Sequence, residues 1–162
     1  MLQSMGAFNI NNMKELTQVA EITISYKPTI SHRPKVVTSL DAYVELRPFF
    51  ANDLISLQEE FIVMYLSNNS NVLGVYKLSK GGLTGTVADT RLILATGLKA
   101  AACCMILCHN HPSGNLKPSN ADIDITRKIK EAASMMDIRV LDHIIISPAE
   151  LKYFSFADEG LD

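Results

Sequence analysis

The sequence has few cysteines, no tryptophan and no long apolar run. Its 162 residues include only three cysteines, Cys103, Cys104 and Cys108, all inside one short apolar segment. This odd number and close spacing exclude a disulfide framework, and no apolar stretch reaches the ~20 residues that a membrane span requires. The first residues also lack the basic and apolar regions of a secretory signal. These absences predict a protein of a reducing, cytoplasmic compartment with no membrane segment.

An excess of basic charge is also missing. Lys and Arg residues number 15 against 17 Asp and Glu residues, which gives a formal net charge of −2. Non-specific nucleic-acid binding depends on clustered basic residues that neutralise phosphates, so this balance disfavours such a partner. Hydrophobic residues make up 48% of the chain, which is ordinary for a globular protein. Length and composition together predict one folded domain.

The apolar pattern predicts an α/β domain over residues 21–162, after a polar, asparagine-rich and loosely ordered segment at 1–20. The predicted elements, in order, are a strand at 21–28, a helix capped by Ser39 and ending near Pro48, a hairpin of strands 61–67 and 72–78, a glycine-containing loop at 79–87, a helix at 89–102, a buried strand at 103–108, a helix at 119–136, a strand at 138–146 and a short helix near 148–154. This order is that of a single layered α/β domain.

Helical spacing also predicts which side of each helix is buried. The predicted buried positions are Leu40, Tyr43 and Val44 in the first helix, Leu94, Leu98 and Ala101 in the second, and Ile125, Ile129, Ala133 and Met136 in the third.

The most informative segment combines two histidines, a serine and an aspartate. His109 and His111 are two residues apart where a predicted strand ends, so their imidazoles leave the same face of the backbone. Ser119 and Asp122 follow at the start of the next predicted helix. Two imidazoles and one carboxylate, with a fourth position left open, are a typical ligand set of a catalytic zinc ion.

Asp122 falls on the apolar stripe of its helix, one turn before Ile125. A carboxylate that faces the core needs a cation or hydrogen-bond donors, because burying it unpaired is too costly. A metal ion held by His109 and His111 would satisfy it. Ser119 and Asp122 also have the spacing of a capping box, in which both residues support the start of the helix. The two roles are compatible.

The segments HNHPSG, PSNADIDITRKI and IRVLDHIII resemble the RadC-like branch of the JAB/MPN superfamily, and HxH-x7-SxxD is that superfamily's JAMM zinc-metalloprotease motif. The resemblance covers about residues 37–150. It implies a cytidine-deaminase-like α/β fold, in which helices flank a mixed β-sheet. It also implies one zinc ion held by His109, His111 and Asp122, an upstream glutamate as general base, and Ser119 as the residue that steadies an oxyanion.

The position of the implied glutamate coincides with Glu59 and Glu60, directly before Phe61. Strand alternation separates these two side chains but does not say which one faces the metal. RadC-like sequences most often keep the acid two residues before the phenylalanine, which favours Glu59. Ser113, Asp142 and His143 are further candidates for hydrogen bonds that support the ligands. For His143 the alternative is a core histidine whose hydrogen bonds are satisfied.

The resemblance implies a zinc-dependent hydrolase, a metallopeptidase or isopeptidase, that cleaves an amide-type bond in a peptide or protein. The alternative is a non-catalytic, zinc-stabilised accessory domain that binds protein or DNA, in line with the DNA-repair association of the RadC name. Full-length RadC proteins carry an N-terminal helix-hairpin-helix region, for which we expect this chain to have no room. That expectation, with the charge balance, weakens the DNA-repair role.

Overall fold

A five-stranded mixed β-sheet forms the centre of the molecule. The computed structural model of the chain describes residues 26–27, 33–81 and 88–161. The elements in these ranges are α1 (Ser39–Leu46), a single 3-10 turn (Arg47–Phe49), β1 (Glu60–Leu66), β2 (Val72–Lys80), α2 (Thr90–Lys99), β3 (Cys104–Asn110), α3 (Asn120–Ser134), β4 (Arg139–Ile146) and β5 (Tyr153–Ser155). The strands lie in the order β2-β1-β3-β4-β5. Only the β3–β4 pair is parallel among them.

The two central strands, β1 and β3, are buried along their whole length. Alternate side chains of β1 enter two separate apolar layers, because successive residues of a strand point to opposite faces. Ile62 and Met64 lie in the layer that α1 covers, whereas Val63 and Tyr65 lie in the layer that α2 and α3 cover. This two-sided burial explains the uninterrupted apolar sequences of both strands. The predicted α/β layered fold is therefore confirmed.

Several predicted elements match the structure closely. The hairpin is present as β1 and β2, and the buried strand at 103–108 is present as β3, which continues to Asn110. Ser119 is the N-cap of α3, as its spacing from Asp122 predicts. The loosely ordered segment predicted at 1–20, most of the predicted strand at 21–28 and most of the loop at 79–87 lie outside the described residues. No helix in the described ranges is long and apolar enough to cross a membrane.

Of the buried positions predicted for α1, Tyr43 is confirmed, and Leu40 and Val44 are wrong. Its N-cap is Thr38 rather than Ser39, and the capping box is completed by Asp41. The buried residues of α1 are Ala42, Tyr43 and Leu46, whereas Leu40 and Val44 are 49% and 53% exposed. Ala42 is small, so the helix backbone can approach the sheet at this position. A pattern search that looks for large apolar side chains does not recognise an alanine as a buried residue.

The same error affects α2. Its buried positions are Ile93 and Gly97, and the predicted Leu98 and Ala101 are exposed. A Cβ atom on Gly97 would lie 3.1 Å from the Tyr65 ring, so the helix packs closely against the sheet through its smallest residue. In α3 the buried face carries Thr126, Ile129 and Ala133, while the predicted Met136 lies beyond the helix and is 48% exposed.

The short helix predicted near 148–154 is also wrong. That segment forms a turn, in which Leu151 adopts a positive φ of 56°, followed by the edge strand β5. β5 pairs with the end of β4 through Ile144, Ile145 and Ile146. A helix could not provide this backbone pairing, so the sheet edge determines the conformation of the segment.

Ile129 tests the packing of α3 against the sheet. Its side chain is completely buried, so Ile129→Ala removes apolar contacts and leaves a cavity. We expect the free energy of unfolding to fall by about 2–5 kcal/mol in urea denaturation. Ile123→Ala is the matched control on the same helix, because Ile123 is 39% exposed, and it should cost less than about 1 kcal/mol. Equal losses in the two variants would contradict the described face of α3.

Candidate metal centre

Two histidines and an aspartate meet where β3 ends and α3 begins. His109 is the penultimate residue of β3 and is completely buried, and His111 follows directly after the strand. Asp122 lies in the first turn of α3, and its side chain is 14% exposed. The parallel pair β3–β4 brings these residues together, because the intervening α3 must start beside the end of β3 and return to the start of β4.

The side-chain atoms converge on one point. His109 Nε2 lies 3.3 Å from Asp122 Oδ1, His111 Nε2 lies 3.5 Å from Asp122 Oδ2, and the two Nε2 atoms are 2.9 Å apart. Ligand atoms about 2.0–2.1 Å from a tetrahedral zinc ion are about 3.3–3.4 Å from one another. The two imidazole–carboxylate separations have about this size, although they involve different oxygens of Asp122, and the separation of the two Nε2 atoms is shorter. Among the described residues, His109, His111 and Asp122 form the cluster of side chains that could hold a metal ion.

A backbone carbonyl orients the His111 ring. His111 Nδ1 lies 2.6 Å from the carbonyl oxygen of Asn115, which can only accept a hydrogen bond. The proton of neutral His111 is therefore on Nδ1, and Nε2 keeps its lone pair for a metal. Asn115 reaches this position because the chain turns at Gly114, whose φ of 76° is unfavourable for other residues. The Ser113 hydroxyl accepts a hydrogen bond from the Asn115 N–H in the same turn.

A chain of hydrogen bonds orients the His109 ring. Thr126 Oγ1 donates to the backbone carbonyl of Asp122, so it must accept from His143 Nδ1, which is 2.6 Å away. His143 Nε2 then has no proton and accepts from His109 Nδ1 at 2.8 Å. This order of protons satisfies the contacts of Thr126 and His143 and leaves His109 Nε2 unprotonated, facing His111 Nε2 and the Asp122 carboxylate, where a cation can bind. Burial lowers the pKa of His143 well below its usual value, which keeps this ring neutral.

Asp122 combines both roles that the sequence predicts for it. Its Oδ2 accepts hydrogen bonds from the backbone N–H and the hydroxyl of Ser119, each at 2.7 Å, while its own N–H donates to Ser119 Oγ. Burial raises the pKa of Asp122, but its interactions with the His109 and His111 imidazoles and with Ser119 outweigh burial and hold that pKa far below its usual range. The capping box therefore fixes an ionised carboxylate against the imidazoles.

The two neighbouring glutamates have different surroundings. The Glu60 side chain is 4% exposed and lies 3.0 Å from Lys80 Nζ and 3.9 Å from Lys77 Nζ. Glu59 is partly buried, and its negative charge adds to the Asp122 hydrogen bond in raising the pKa of His111. Glu60 is thus engaged with the lysines of β2, and Glu59 is the carboxylate on the side of the imidazoles.

Among the predicted supporting residues, His143 contacts a ligand directly and Ser113 acts through Asn115. Asp142, the third of them, lies on the opposite face of β4 from His143. Asp142 pairs with Ile106 in the layer that α1 covers, and its carboxylate accepts hydrogen bonds from Ser155 Oγ and the Ala157 N–H. Asp142 also accepts a hydrogen bond from the backbone N–H of His143 at 2.7 Å, so it contacts the backbone of a supporting residue but not the imidazoles of the candidate ligands.

Sequence reasoning did not identify two residues that contribute to the site, Thr126 and Asn110. Thr126 is four residues after Asp122 on the same helix, so helical spacing could have found it. Asn110 is completely buried between the two histidines, and its amide makes three hydrogen bonds to residues that precede or start β1. A polar residue in an otherwise buried strand was the available signal.

Comparison with known proteins identifies relatives of this chain. A family model described as the RadC-like JAB domain matches residues 37–161. A UPF0758 protein of Flavobacterium johnsoniae is 46% identical over 127 residues, which cover 78% of this chain and 53% of that protein. A UPF0758 protein of Porphyromonas gingivalis is 38% identical over 151 residues, covering 91% and 65% respectively. The chain thus spans about half to two thirds of the length of these relatives.

His143 tests the hydrogen-bonded chain. His143→Ala removes the acceptor that fixes the proton of His109 on Nδ1, and loss of such a partner lowers metal affinity by about 10–100-fold. We expect that decrease in zinc affinity, measured by competition with a chromogenic chelator. Asp142→Asn is the control, since it alters the adjacent residue on the other face and should leave zinc affinity within about threefold of wild type. Equal affinities of His143→Ala and wild type would contradict the assigned order of protons.

Competition between a proton and a zinc ion for His111 supplies a second test of the candidate ligand set. The hydrogen bond to Asp122 raises the pKa of His111 above its ordinary value of 6.5, so the imidazole keeps its proton to higher pH than usual. A zinc ion must displace that proton. Zinc affinity should therefore rise with pH through and beyond 6.5 and level off once His111 is neutral, with proton release visible in calorimetry in buffers of different ionisation enthalpy. Affinity that does not change between about pH 6 and 8 would contradict this ligand set.

Proposed function

Because the chain belongs to the RadC-like JAB domain family, we propose that it is a zinc-dependent hydrolase of amide-type bonds, a metallopeptidase or isopeptidase. One observation carries the proposal. The Nε2 atoms of His109 and His111 converge on the Asp122 carboxylate, and each imidazole donates its proton on Nδ1 to a fixed acceptor. Neutral, oriented imidazoles and an ionised carboxylate are the chemical state that a metal ion requires.

The donor set favours zinc and a catalytic role. Two imidazole nitrogens and one carboxylate oxygen suit zinc better than calcium or magnesium, which prefer oxygen ligands throughout. Structural zinc sites have four protein ligands, whereas catalytic sites have three and leave the fourth position to water or substrate. The three residues of this cluster correspond to the catalytic class.

When bound, a zinc ion supplies Lewis acidity, which allows a water molecule to lose a proton near neutral pH and polarises the carbonyl under attack. In the proposed reaction Glu59 is the general base. Its carboxylate takes the proton from the attacking water and then gives it to the nitrogen of the departing amine. Glu60 is unsuited to this role because it lies beside Lys77 and Lys80.

Ser119 has the role of stabilising negative charge on the substrate oxygen. Its hydroxyl donates to Asp122 Oδ2, but its backbone N–H donates to the same oxygen. The hydroxyl can therefore turn toward a substrate oxygen while the backbone N–H still holds the carboxylate. A hydrogen-bond donor fixed in this way on a helix N-cap stabilises a developing oxyanion at little cost of reorganisation.

Glu59→Gln tests the proposal. It removes the base but none of the metal ligands, so the zinc content should remain unchanged while turnover falls by about 100-fold or more. Turnover is measured on panels of peptide, ubiquitin-like isopeptide and peptidoglycan-type amide substrates. Glu60→Gln is the matched control, which keeps turnover within about tenfold of wild type because this side chain is paired with lysines.

Two outcomes would contradict the hydrolase. The first is equal turnover by Glu59→Gln and wild type. The second is a zinc-loaded wild type that hydrolyses no member of the panels although zinc raises its melting temperature. The second result would favour the non-catalytic, zinc-stabilised accessory domain instead.

A further inference from the structure

Asn110 occupies an unusual position for a polar side chain. It is the last residue of β3, lies between His109 and His111 in the chain, and is completely buried. A buried amide costs free energy unless its donors and acceptor are paired. The partners of this amide are not the histidines. They all belong to the segment that leads into β1, on which Glu59 lies.

The Asn110 amide binds the backbone on both sides of Glu59. Its Nδ2 group donates to the carbonyl of Gln58 at 2.8 Å and to that of Ile55 at 2.7 Å, which uses both amide protons. Its Oδ1 accepts from the N–H of Glu60 at 2.7 Å. The residues immediately before and after Glu59 are thereby attached to one side chain.

The regular sheet does not provide this attachment. The β1–β3 ladder begins at the pair Phe61 and His109, so Glu59 precedes it. The carbonyl of Glu59 accepts a hydrogen bond from the N–H of Gly81, which follows β2. Between residues 58–60 and the end of β3, hydrogen bonds from the Asn110 amide therefore replace the backbone pairing of a regular sheet.

We propose that Asn110 is a positioning residue that sets the place of the Glu59 carboxylate relative to the two histidine ligands. The inference rests on the proposed function of Glu59 as the base. Asn110 is covalently joined to both histidines, so its three hydrogen bonds transmit their position directly to the Glu59 backbone. A misplacement of about 1 Å in such a group can reduce a rate about 100-fold, so this connection has a catalytic consequence.

The side-chain chemistry of asparagine is specific for this task. An aspartate would lack both donors and would place negative charge against the carbonyl oxygens of Ile55 and Gln58. Alanine and serine are too short to make all three hydrogen bonds, although serine keeps one polar group. The two neutral variants Asn110→Ala and Asn110→Ser therefore remove the connection without adding a charge near the metal.

The test uses the cobalt-substituted protein, so that no substrate is needed. The visible absorption of bound Co²⁺ changes with pH as groups near the metal ionise. The pH at the midpoint of this absorption change shifts when a negative charge, such as the Glu59 carboxylate, is held nearby. We measure this midpoint, the Co²⁺ dissociation constant and the melting temperature for wild type, Glu59→Gln, Asn110→Ala, Asn110→Ser and Ser155→Ala. Ser155 is the control, because it is a buried hydroxyl that donates to Asp142 on the other face and accepts from the Asp158 N–H.

We expect Glu59→Gln to move the midpoint by about one pH unit and both Asn110 variants to move it in the same direction by about half a unit. Their Co²⁺ dissociation constants should stay within about threefold of wild type, because the ligands are unchanged. Ser155→Ala should lower the melting temperature without moving the midpoint. Asn110→Ser keeps the test valid if Asn110→Ala does not fold.

Different results separate the two proposals. A midpoint that moves in Glu59→Gln but in neither Asn110 variant overturns the positioning role and leaves Glu59 as the base. A midpoint that does not move in Glu59→Gln overturns the role of Glu59, and with it the inference about Asn110. A midpoint that moves equally in Ser155→Ala shows a general effect of destabilisation and also overturns the positioning role.

Discussion

The candidate metal site depends on which ring nitrogen carries the proton in His109 and in His111. A neutral histidine carries one proton, and a metal can bind only the nitrogen without it. Here the acceptor-only carbonyl of Asn115 fixes the proton of His111, and the chain through His143 and Thr126 fixes that of His109. The chain ends on the backbone carbonyl of Asp122, the residue that supplies the carboxylate. The fold thus orients both imidazoles of the candidate metal site.

The fold accounts for this arrangement. The parallel pair β3–β4 places His109 and His143 on the same side of neighbouring strands, and α3 covers that side with Thr126 and Asp122. The other side of the same strands is filled by apolar residues under α1. Catalytic zinc sites rely on partners of the ligands as much as on the ligands themselves. Here the partners of His109 come from a strand and a helix face, and the partner of His111 is a carbonyl in the turn between β3 and α3.

The sequence was sufficient to predict the strands and the cluster of residues that could hold a metal ion, but not the helix faces. β1 and β3 are long apolar runs, and His109, His111 and Asp122 have a spacing that few structures other than a metal site explain. The faces of α1 and α2 were partly missed because small residues, Ala42 and Gly97, occupy buried positions in these helices, and Gly97 packs closely against Tyr65. A hydrophobicity pattern has no information about such close approaches.

The predictions for residues around the ligands had mixed outcomes for a similar reason. His143 contacts His109, whereas its neighbour Asp142 lies on the opposite face of β4. Strand alternation places the two side chains on opposite faces, but it does not say which of them faces the candidate ligands. Asn110 and Thr126 were missed because their roles consist of hydrogen bonds to backbone groups. The positions of those groups depend on the tertiary structure, which a motif does not contain.

A crystal structure of the zinc-loaded protein, with anomalous diffraction at the zinc edge, tests the central claim most directly. The account predicts one anomalous peak about 2.0–2.2 Å from the Nε2 atoms of His109 and His111 and from a carboxylate oxygen of Asp122. The Nδ1 atoms should keep their hydrogen bonds to His143 and Asn115. A peak elsewhere, or coordination through Nδ1, would contradict it.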